Sequence, residues 1–126
     1  GRADAAVAEA MIRLAAALIL IAAEASAAER GGSFEGGRTT GDVTVVQIDG
    51  QWVVRLEENF VHEGAPDPWV ALGKDGFRRD AQLGPLRDDT GAQIYPIPER
   101  FRPEDFNQVY IWCQEFSTSL GRAWLK

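Results

Sequence analysis

The segment "DVTVVQIDGQWVVRLEENF", residues 42–60, restricts the fold of this chain more than any other. Asp49-Gly50 is a two-residue hairpin turn signal, because a type I′ turn needs positive φ at both central positions and Asp-Gly supplies it at low cost. A turn at that point pairs Ile48 with Gln51, Gln47 with Trp52, Val46 with Val53, Val45 with Val54, Thr44 with Arg55 and Val43 with Leu56. Opposed residues share a face of the sheet. Val43, Val45, Trp52, Val54 and Leu56 therefore form one apolar face, and a slip of one residue would turn that face into water.

The chain after this hairpin repeats the same grammar. "WVALG" is a short strand turned by Lys74-Asp75-Gly76, and "AQLGPL" is a poorly formed edge strand or loop. A strand around Gln93–Tyr95 is stopped by Pro96 and Pro98, and a helical turn is expected at Pro103–Phe106. "VYIWC" is a strand, followed by one or two closing strands bent at Gly121. Short strands punctuated by Gly, Pro and Asp predict an all-β domain, an antiparallel, jelly-roll-like β-sandwich. With 126 residues, one domain is expected.

Residues 1–27 have a different character. From Met11 the sequence runs "MIR", then "LAAALILIAA", then a small-x-small site at Ala25-Ser26-Ala27. A cationic start, a short apolar run and a small-residue cleavage site are the parts of a secretory signal peptide. The apolar run is shorter than the roughly 20 residues that span a bilayer. The reading is a leader helix within residues 1–27, a mature domain over 28–126, export to the periplasm or outside the cell, and no stable membrane span once the leader is removed.

The chain has 13 Lys and Arg against 19 Asp and Glu, a net charge of -6. Its arginines are interleaved with acids, as in "RRD" and "PERFRPED". Nucleic-acid binding needs a basic stripe and is not expected. Residues 28–126 contain no methionine and one histidine, His62. One His and one Cys are too few for a protein-held metal site, and no C-x-x-C-H is present for covalent haem. No cofactor is encoded by a clear motif, so haem or metal would have to come with a partner. No G-x-S-x-G occurs either, and no constellation for a stand-alone enzyme is apparent.

Cys113 is the single cysteine. In "VYIWC", Val109, Ile111 and Cys113 share one face, while Tyr110, Trp112 and Gln114 share the other. Burial as a small apolar residue is the ordinary fate of a free cysteine on an aliphatic face. A working thiol would instead need a cationic neighbour, for which Arg122 and Arg55 are candidates. Without a second thiol it cannot run an internal dithiol cycle. Trp112, on the opposite face, is a candidate for a docking surface.

The ordered segments "GSF", "TTGDVTVV", "LEENF", "APDPWVALG", "GAQIYPIP" and "FNQVYIWCQEF" resemble the DM-thirteen (electron transfer DM thirteen) domain family over nearly all of the mature chain. The resemblance implies a small extracytoplasmic β-sandwich-like domain with a redox role. It implies that Cys113 is the redox thiol, acting with a partner protein or a cofactor the partner supplies. It also marks Asp67, Gln93 and Tyr95, with Trp112, as candidate binding positions. The alternative is a non-catalytic binding or structural module with a buried structural cysteine.

Overall fold

The computed structural model describes residues 29–126, and the leader expected within residues 1–27 lies outside them. The described chain is all-β, with one 3-10 turn. Its strands are β1 (Arg30–Glu35), β2 (Thr39–Thr40), β3 (Asp42–Ile48), β4 (Gln51–Leu56), β5 (Val61–His62), β6 (Pro68–Gly73), β7 (Phe77–Pro85), β8 (Gln93–Pro96), β9 (Gln108–Cys113) and β10 (Thr118–Trp124). The 3-10 turn, Pro103–Asp105, falls where the sequence placed a helical turn. No helix among the described residues is long and apolar enough to cross a membrane.

The hairpin formed by β3 and β4 has the register read from the sequence, from Val43 opposite Leu56 to Ile48 opposite Gln51. Its turn residues Asp49 and Gly50 have φ of 50° and 80°. Val43, Val45, Val54 and Leu56 are buried in the core, with Trp52 packed against them. Val46 and Val53, on the other face, are buried as well.

In place of two facing sheets, eight strands form one sheet in the order β7-β6-β9-β10-β1-β3-β4-β8, and β2 and β5 pair separately. All the ladders are antiparallel. The expected sandwich gives way to this continuous sheet because β1 belongs to both halves. Arg30–Ser33 pair with β3, while Phe34 and Glu35 pair with β10. The sheet curls until its edge strands β7 and β8 touch. Just past β7, Arg87 N–H donates to the Tyr95 hydroxyl of β8 at 2.9 Å, and the Arg87 guanidinium donates to the Ile94 carbonyl. The result is a nearly closed barrel around Val43, Leu56, Phe60, Leu72, Val109 and Ile111, each no more than 1% exposed.

The "AQLGPL" segment is also corrected. It is the second half of a nine-residue strand, β7, paired with β6 from Gly73–Phe77 to Trp69–Pro85. Register shifts near Ala71 absorb the mismatch. Such bulges add twist, which carries this edge round toward β8.

Candidate functional site

Cys113 is the last residue of β9, so it sits at one end of the barrel. It is flanked by Pro68 of β6 and Thr118 of β10 in the ladder. Its side chain points inward with Val109 and Ile111, as the strand's alternation required, and is 1% exposed. The thiol donates a hydrogen bond of 3.1 Å to the carbonyl oxygen of Pro66. Pro66 belongs to the connection between β5 and β6, which runs across the barrel end. The thiol thus lies beneath a strap of backbone.

The strap is held on both sides. On the β5 side, His62 N–H donates to Asp89 O at 2.7 Å, and Glu63 N–H to Arg38 O at 2.9 Å. The Arg38 guanidinium returns a bond of 3.1 Å to Gly64 O. On the β6 side, Gln114 N–H donates to Asp67 O at 3.1 Å. Asp67 adopts φ of 51°, left-handed backbone that aspartate tolerates better than most residues. Its carboxylate accepts the Trp69 indole N–H at 2.9 Å. Asp67 therefore fixes the exit of the strap and stands close to the thiol in the fold.

The other candidates lie elsewhere. Trp112 is on the outer face, where its ring stacks on Phe77 at 3.7 Å between centroids and 3° between planes. Tyr110 meets both rings edge-on, at 6.1 Å and 6.2 Å. Beside them lies an open cleft of about 450 Å³ lined by Glu35, Gly36, Gly37, Ser119 and Arg122 as well as the three rings. Gln93 and Tyr95 are buried, and their side chains are used internally. Tyr95 donates to the Gln93 side-chain oxygen, and the Gln93 amide donates to Asp88 O at 2.8 Å. Arg87 lies over the Tyr95 ring at 4.5 Å. Burial holds the Tyr95 hydroxyl above its ordinary pKa, so it stays a donor. These two residues pin the loop before β8.

The cations expected near the thiol are engaged by other partners. Arg55 pairs with Glu57 at 2.8 Å, and Arg122 reaches Glu35 at 3.6 Å and lies over the Trp124 ring. Among the described residues no group of three His, Cys, Asp or Glu side chains is arranged to hold a metal. Two participants escaped sequence reasoning. One is the Pro66 carbonyl, which is backbone. The other is His62, whose partner Thr39 lies in a different two-residue strand. The proline-rich "HEGAPDP" marks an irregular connection, and that was the available signal.

A curled antiparallel sheet with one internal thiol, capped at the barrel end by a strap, defines a small all-β domain with a single buried cysteine. The chain belongs to the Electron transfer DM13 family, whose model matches residues 33–125. No curated protein and no solved structure matches it.

Proposed function

We propose that this is an exported redox module in which Cys113 exchanges electrons with a partner protein. Membership of an electron-transfer family supports a redox role. The single observation that supports the assignment to Cys113 is its position at the end of β9, with the thiol bonded to the Pro66 carbonyl of the connection between β5 and β6. With one thiol in the 126 residues, the accessible two-electron step is exchange with a partner's disulfide. Cys113 loses its proton to water, and Sγ bonds to one partner sulfur. The other partner sulfur leaves as a thiolate. One half of the partner's disulfide is thereby reduced, and Cys113 is oxidised to a mixed disulfide.

A second reading, a binding or structural module whose cysteine fills the core, is favoured by the 1% exposure and by the absence of any cationic side chain bonded to Sγ among the described residues. Cys113→Ala and Cys113→Ser separate the two. In the redox reading both variants abolish the partner-linked mixed disulfide, seen as a reducible band on non-reducing gels. In the structural reading Cys113→Ala costs about 1–2 kcal/mol through a small cavity and leaves partner association intact.

Export rests on the leader at residues 11–27. Expressed with those residues, the protein is expected to leave the cytoplasm and to carry a new N-terminus near Ala28. Mass spectrometry of the fractionated product checks this, and an uncleaved cytoplasmic product would overturn it.

A further inference from the structure

His62 is 3% exposed and is absent from the redox step above. Its Nδ1 lies 3.0 Å from the Thr39 hydroxyl, and that hydroxyl lies 2.9 Å from the Leu120 carbonyl oxygen. A carbonyl can only accept, so the single hydroxyl proton of Thr39 goes to Leu120. Toward His62 the hydroxyl must then accept, and Nδ1 carries the ring proton. The neutral ring is left with a bare lone pair at Nε2, which is buried and has no hydrogen-bond partner among the described residues. Adding a proton there creates a buried cation whose new N–H has nothing to bond.

We propose that His62 is an acid-sensitive latch that holds the strap from Val61 to Asp67 closed over Cys113. This rests on the redox reading for its purpose, not for its test. His62 anchors one end of the strap through its ring and its backbone N–H, and four residues later the Pro66 carbonyl holds the thiol. The charged groups around the ring are Asp89 from the loop before β8, Arg38 from the segment before β2, and Glu63 on the strap itself. β2 and β10 present the uncharged Thr39 hydroxyl and Leu120 carbonyl. Burial dominates and lowers the proton affinity of the closed ring. Arg38 adds to this, and Asp89 and Glu63 oppose it.

The sign follows from linkage. The closed state binds the proton more weakly than the open state, in which the ring regains its ordinary value. As pH falls below about 6.5 the open state takes up the proton first, so the open population rises by up to about tenfold per pH unit. The gain ends where the closed ring itself becomes protonated.

The test is the rate at which 4,4′-dithiodipyridine, which reacts with thiols in acid, labels Cys113 in the full chain. The rate is normalised to glutathione at each pH, and tryptophan fluorescence reports global folding. Between about pH 7.5 and pH 5 the normalised wild-type rate should rise by up to ~30-fold with native fluorescence retained. His62→Gln keeps a donor for Thr39 but does not titrate, so its rate should be flat. Equal pH dependence in His62→Gln, a flat wild-type rate, or labelling that coincides with loss of native fluorescence would each overturn the latch. If His62→Gln does not fold, Thr39→Val takes its place. That variant should label faster than wild type at about pH 7.5, and an unchanged rate counts against the proposal. The reagent reports access whether or not Cys113 exchanges electrons, so a failed latch leaves the redox reading standing. A negative Cys113→Ser result leaves the latch standing.

Discussion

Phe60→Ala is expected to destabilise the domain by about 3–5 kcal/mol, the usual cost of removing a fully enclosed phenylalanine. Phe60 is 0% exposed and meets the Phe34 ring edge-on at 5.7 Å. It immediately precedes β5, and its backbone is tied on both sides. Its N–H donates to Glu57 O, and its carbonyl accepts from Gly91 N–H, each at 3.0 Å. These bonds limit how far the chain can collapse into the vacated space, which places the cost toward the upper part of the range. Domains of this size are stable by only about 5–15 kcal/mol, so the variant should unfold at a much lower urea concentration with an unchanged m-value. A midpoint shift worth less than about 1 kcal/mol would show that the site repacks, contrary to the enclosed geometry described.

Gly121→Val is expected to cost about 3 kcal/mol, the upper end of the usual range for overpacking, and to loosen the strap as well. Gly121 lies in β10 just after a register shift. A Cβ there would stand 2.5 Å from the Thr39 Cβ and 2.9 Å from its hydroxyl oxygen. Thr39 has no room to yield, because its hydroxyl is bonded to both Leu120 and His62. The strain must be relieved by moving β2, and with it the anchor of the strap. Thermal unfolding should show the loss of stability. Labelling of Cys113 at neutral pH should be faster than in wild type. A variant with native stability and a native labelling rate would mean that β2 and β10 are not packed as described.

The sequence was informative where structure is local. The β3–β4 register followed from alternation and an Asp-Gly turn, both contained in residues 42–56. The inward face of β9 followed from the period of a strand, and Val109, Ile111 and Cys113 are all in the core. β1 and β7 were hard to read because their strand character comes from distant partners. "RGGSFE" contains two glycines, and "RRDAQLGP" is polar and broken by Gly84. Each is a strand because a neighbouring ladder makes it one, which is why propensity is a weak guide in sheets. The site was legible to the same degree. Which way the sulfur points was local information. What covers it depends on the Pro66 carbonyl, 47 positions away. The hydroxyl that fixes the His62 tautomer is 23 positions from the ring, and the carbonyl fixing that hydroxyl is 81 positions from it.

The double allegiance of β1 also bears on how the molecule comes into being. Phe34 aligns with Ala123, almost the full span of the domain away. During synthesis the first strand must wait for the last, and until β10 emerges β1 has a neighbour on one side only, β3. Folding that depends on so distant a pairing is slow and comes late. The barrel consequently cannot close before β10 is present, and the surroundings of the one thiol, which include Thr118 of that strand, are completed only with it.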